Sequence, residues 1–195
     1  MLAKEKIIAR YLHDRWYKKT LVISSSEPEY LAKIHSLSLV FCSGYLCEND
    51  SKGCKFDVSA WPFAHDFFDL IIIDHAFLDS KLDVNALLKQ LHFCMADDGD
   101  VIVAGTQNIR AYNLVSKFLA NGFLSKNLHL TSKSDIFVVN IVKRLLSKYF
   151  VAVFKKDVFF RFDGLEVKAL LEKKIACKKA YSNANIKQVK EQYEK

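Results

Sequence analysis

Residues 57–105 read DVSAWPFAHDFFDLIIIDHAFLDSKLDVNALLKQLHFCMADDGDVIVAG. At the centre of this stretch Leu70–Asp74 (LIIID) is an unbroken apolar run closed by a carboxylate. Without alternation, such a run suits a strand buried on both faces, as in the middle of a parallel sheet. Asp83 stands where a helix cap belongs, and Val84, Leu87, Leu88, Leu91 and Met95 follow on one stripe, which predicts a helix over 84–95. Asp97-Asp98-Gly99 predicts a turn, and DVIVAG (100–105) a second buried strand. Strand, helix and strand in this order make a βαβ unit.

The same pattern extends outward. Ile7, Ile8, Tyr11 and Leu12 predict an amphipathic helix over 3–16. Strands are expected at 20–23, 37–42 and 54–58, with a helix over 28–35 between the first two and a polar, turn-rich stretch at 44–53. WPFAHDFFD (61–69) reads as a loop whose aromatic residues pack against the sheet. A helix at 109–120 is closed by Asn121-Gly122, followed by a strand at 127–131, a helix at 134–147, a strand at 148–158 and a basic helix over 165–193. Parallel sheets of this kind bind ligands beyond the carboxyl ends of their strands. That directs attention to Ser24–Pro28, Cys42–Gly44, Asp57–Phe63, Asp74-His75 and Gly105–Asn108.

Composition narrows the classes. The 195 residues, 51% hydrophobic and 26% charged, suit one globular domain with an ample core. No apolar run approaches the ~18 residues of a membrane span, and the N-terminus lacks the features of a signal peptide. Five cysteines without a CxxC pair suit a reducing cytoplasm and give no zinc spacing, so no metal is expected. The net charge of +7 is unevenly distributed. Residues 1–142 carry 15 basic and 16 acidic side chains, and residues 143–195 carry 14 and 6. The chain therefore divides into an α/β body, 1–160, and a basic extension, 161–195, which is suited to an acidic protein partner, to nucleic acid or simply to solvent. Only six glycines occur, too scattered for a Walker loop or a GxGxxG fingerprint.

Several motifs of residues 57–105 keep the mutual spacing of a known family. Asp57 followed by Trp61-Pro62-Phe63, Phe68-Asp69 before LIIID, and Ala96-Asp97-Asp98-Gly99 before the next strand together resemble class I S-adenosylmethionine-dependent methyltransferases of the small type with a D-x-x-x-L-P-F signature. The resemblance implies a three-layer Rossmann-like α/β fold, with a mainly parallel seven-stranded sheet whose last strand is antiparallel. It also implies S-adenosylmethionine as cofactor, with Asp57 accepting from the adenine amino group and Val58 offering a backbone N–H. A turn-capping role for Asp57 is the alternative. The family's glycine-rich first motif is absent: Val22 stands at its acidic position, and Ser24, Ser26 and Pro28 at its glycines. Serine can stand in for glycine, but proline has no N–H and no access to positive φ. Ser26-Glu27-Pro28-Glu29 instead reads as a capping box. The acid that ends the family's second strand is replaced by Phe41, Cys42 and Ser43.

The resemblance places the methyl acceptor near Asp74-His75, where His75 can take a proton and Asp74 can orient it. Both can equally be polar residues that close a buried strand. Two functions follow. One is a divergent methyltransferase of unknown acceptor in which Ser24, Ser26, Ser43, Asp57 and Val58 hold the cofactor. The other is a non-catalytic methyltransferase-fold module that makes contacts through its basic C-terminal segment.

Overall fold

The computed structural model describes residues 3–42, 61–74, 83–106, 108–132 and 147–162. Six strands form one sheet: β1 (Trp16–Ser24), β2 (His35–Cys42), β3 (Phe68–Asp74), β4 (Met95–Thr106), β5 (Phe123–Ser132) and β6 (Ser147–Lys156). Their order is β2-β1-β3-β4-β6-β5. β1 pairs in parallel with β2 and β3, and β3 with β4, whereas β6 is antiparallel to both β4 and β5. The expected mixed α/β sheet with an antiparallel last strand is thus present. The seventh strand, expected at 54–58, falls outside the described residues, as do the expected helix over 165–193 and all of the helix expected over 134–147 except Ser147, which opens β6.

Alternation along the central strands sorts side chains into two layers. Leu21 and Ile23, Ile71 and Ile73, and Val101 and Val103 face α2 (Val84–Cys94) and α3 (Asn108–Ala120), where they meet Leu87, Leu88, Leu91, Leu114 and Phe118. Val22, Leu70, Ile72, Ile102, Val151 and Val153 face α1 (Ala3–Leu12), where they meet Ile8 and Leu12. LIIID is fully buried, as an unbroken run on a two-sided strand requires. Trp61 is also fully buried, with Phe63 packed edge-on against it and against Phe68, so the WPF loop closes the α2–α3 side of the core.

The Asp83 cap forms as read: its carboxylate accepts from the backbone N–H groups of Asn85 and Ala86, each at 3.1 Å. Three local readings change. Residues 28–35 do not make an α-helix. A five-residue 3-10 helix, Glu29–Lys33, lies there, and its cap position is Pro28 with no side-chain hydrogen bond. Ser26 is exposed, and the capping box is not formed. β2 begins at His35, which leaves too little chain for an α-helix, and two i→i+3 bonds, Leu31 N to Pro28 O and Ile34 N to Leu31 O, close the connection. Second, Asp97-Asp98-Gly99 is an outward bulge inside β4, because Met95 pairs with Phe68 and Asp100 with Leu70. Third, β1 starts at Trp16 and so shortens the expected first helix.

Two glycines are dictated by tertiary geometry. Gly122 ends α3 with φ +80°, the left-handed cap conformation. Gly105 lets β4 and β6 approach: a Cβ there would lie 2.7 Å from the Phe150 ring. Gly105→Ala is expected to destabilise the chain by about 1–3 kcal/mol. Adding Phe150→Leu recovers part of that loss, as a double-mutant cycle by urea denaturation would measure.

His92, in α2, is boxed by aromatic rings: Phe123 at 5.5 Å, Phe162 at 5.1 Å and Phe160 at 5.8 Å between centroids. Burial, then the charge of Lys156, holds its pKa below that of free histidine, against opposing effects from the Asp157 backbone and the Asp157 and Asp66 carboxylates. Below about pH 6.5 the unfolded chain therefore binds more protons than the folded one. Stability is flat above that pH and falls as the pH drops through it. Denaturation midpoints measured from about pH 7 to 5 are expected to decline, and His92→Phe to flatten the decline.

Candidate functional site

In the strand order, the chain steps from β1 outward to β2 and then returns to β3 on the other side of β1. The reversal lies between β1 and β3, where crevices in open α/β sheets receive ligands. The strand ends there are Ser24 and Asp74, register partners of each other. Both are buried, at 2% exposure.

Alternation turns Asp74 toward the α1 layer, the side of Leu70 and Ile72. Lys4, in the first turn of α1, meets it there: Nζ donates to both carboxylate oxygens, at 2.6 and 2.9 Å. Lys4 is itself only 3% exposed. Glu5, 8% exposed, and the fully buried Tyr30 of the 3-10 helix complete the cluster. Burial, then the nearby Asp74 and Glu5 carboxylates, push the Tyr30 phenol well above its usual value. The Tyr30 hydroxyl makes no hydrogen bond among the described residues. The cluster therefore joins two acids, one ammonium and one neutral phenol in a medium where each charge is costly to leave alone.

Of the seven site residues expected from the sequence, Ser24 and Asp74 come together at the switch point. Ser26 lies exposed on the loop after β1. Ser43, Asp57, Val58 and His75 lie outside the described residues. Sequence reasoning missed Lys4 and Tyr30. Lys4 sits beside Glu5 at the start of an amphipathic helix and looks like a solvated charge, and only the pairing of α1 with the end of β3 reveals it. Tyr30 sits in what reads as a helix and gives no signal of a polar role.

A cofactor with an amino-acid end would present an ammonium to this crevice. The carboxylate acceptor suits that group, because Asp74 already accepts from an alkylammonium, that of Lys4. The two compete for the same oxygens. The loop between β1 and the 3-10 helix offers less: Pro28 stands at the cap position without an N–H.

Removing one partner of a buried ion pair strands the other charge, at a cost of about 3–5 kcal/mol. Lys4→Met is expected to lose that much. The double variant Lys4→Met with Asp74→Leu should regain most of it, because no charge is then left behind, as chemical denaturation would show.

Comparison with known proteins bears on the fold. No family model and no curated protein sequence matches the chain. Solved structures do. A methyltransferase in complex with the Haloferax volcanii Trm112 methyltransferase activator aligns with a TM-score of 0.60 and 12% identity, over 81% of this chain and 90% of the other. The N-methyltransferase NodS from Bradyrhizobium japonicum, in complex with S-adenosyl-L-homocysteine, aligns at 0.58 and 11%, over 78% and 85%. The [4+2]-cyclase SpnF aligns at 0.61 and 9%, over 80% and 81%. At such identities the likeness is one of fold: the chain has the architecture of S-adenosylmethionine-dependent methyltransferases.

Proposed function

We propose that the chain is a divergent S-adenosylmethionine-dependent methyltransferase of unidentified acceptor, whose cofactor must displace Lys4 from Asp74. The observation that carries this reading is the buried carboxylate at the sheet's switch point, already holding an alkylammonium. Asp74 takes the cofactor's ammonium, Ser24, Ser26 and Ser43 line the crevice, and Asp57 with Val58 receives the adenine. His75 accepts a proton from the acceptor. When bound, the cofactor supplies a methyl group on an electrophilic sulfonium. Among the described residues no helix is long and apolar enough to cross a membrane. A protein partner is compatible with this reading, since the Haloferax methyltransferase is found with an activator.

A second reading rests on the same pair. Asp74 is satisfied without any ligand, and the fold also serves a cyclase. A module of this fold could dispense with methyl transfer and act by binding, through the basic segment 161–195.

Calorimetric titration with S-adenosylmethionine separates the two. The first reading expects weak binding to the wild-type chain, at least tenfold tighter binding to Lys4→Met, and loss on Asp57→Ala. Lys4→Gln serves if Lys4→Met is too unstable. No heat of binding to any of these up to millimolar ligand overturns the first reading and leaves the second.

A further inference from the structure

The opposite end of the sheet holds a second concavity. Where the Ala96–Gly99 bulge, the end of β6 and residues 157–162 meet, a cavity of about 340 Å³ opens, with His65, His92, Phe93, Lys156, Phe160 and Phe162 in its wall. That volume is enough for a small organic molecule. The cavity lies at the amino ends of β3 and β4, far along the strands from Asp74.

The buried cation of the wall is already matched. Lys156 uses its three donors on Asp66 Oδ1 at 2.7 Å, Met95 O at 2.9 Å and Asp97 Oδ1 at 3.0 Å. His65 Nδ1 pairs with Asp66 Oδ2 at 2.7 Å. Arg161 folds back onto the carbonyls of Val158 and Phe160. A charged ligand in the buried part of the cavity would lose its water and find no free counter-charge there, since the Arg161 guanidinium lies exposed to solvent. One buried polar atom is left over. His92 is 7% exposed, and its Nε2 has no hydrogen-bond partner among the described residues.

The state of that atom follows from its neighbours. The Asp157 N–H donates to Gly122 O, and the Asp157 backbone favours a proton on the His92 ring. With that proton on Nδ1, Nε2 presents a lone pair. Burial keeps the ring neutral at neutral pH. The Phe160 ring packs against Gly122 and covers Nε2: a Cβ on Gly122 would lie 2.9 Å from Nε2 and 2.4 Å from that ring, so the place beside Nε2 opens only when Phe160 moves. Phe160 and Phe162 are only partly buried, and their rings meet edge to face at 5.1 Å.

We propose that this cavity binds a small, uncharged, planar aromatic molecule with one ring N–H or O–H donor, which stacks against Phe160 and Phe162 and hydrogen-bonds to His92 Nε2. Phe160 is the ring that shifts to admit it. Three aromatic walls supply area and preferred edge-to-face contacts, and the lone pair supplies selection. A buried acceptor built to receive a donor discriminates strongly against a ligand that lacks one.

Indole and benzothiophene, the same shape with and without the N–H, provide the test. The full chain, labelled with 15N-histidine, is titrated while the His92 ring nitrogens are followed by NMR. The proposal expects a saturable shift with indole, at least tenfold weaker binding of benzothiophene, and loss of indole binding in Val158→Trp, which fills the mouth from an exposed position. No saturable shift up to millimolar indole overturns the proposal. So does equal affinity for the two probes, or indole binding unchanged by Val158→Trp.

Discussion

A strand with no polar face must be covered on both sides, and β3 imposes that constraint on the whole chain. Leu70, Ile71, Ile72 and Ile73 are all fully buried, so helices must lie above and below the sheet. α1 and the 3-10 helix supply one layer, α2 and α3 the other. Each flanking element is in turn placed by what it must cover: Ile8 and Leu12 by Val22 and Ile72, and Leu88 and Leu91 by Ile71 and Ile73.

The same constraint explains the polar cluster at the carboxyl end. Asp74 continues the alternation of β3 and so projects into the layer that α1 occupies. A carboxylate buried there requires a partner, and α1 brings Lys4 to it. The pair ties the first helix to the central strand, 70 residues apart in sequence.

At the other end, β4 bulges outward because Met95 and Asp100 both remain paired to β3 across too many residues. Asp97 is carried out to Lys156, whose donated hydrogen bond lowers the Asp97 pKa, while Asp66 meets the same ammonium from the turn before β3. The three side chains knit the bulge to the end of β6 and frame the cavity around His92. The two ends of the sheet thus differ in kind: one buries a matched ion pair, and the other pairs its charges at the rim and leaves a neutral acceptor inside.

Local pattern alone was enough for the elements governed by local physics. The LIIID strand, the Asp83-capped helix, the Gly122 helix end and the apolar packing of Trp61 could all be read from spacing and residue type. What depends on contacts between distant segments could not. Pro28–Lys33 carries the residues of an α-helix, yet only a 3-10 turn fits between the end of β1 and the start of β2. Lys4 and Asp74 are 70 residues apart, and nothing near either predicts a bond between them. His92 reads as one more residue on a helix until Phe123, Phe160 and Phe162 surround it. Burial pattern and capping act over a few residues and are written in order along the chain. Desolvation and charge pairing act through space, and so the fold alone decided which polar groups share a site.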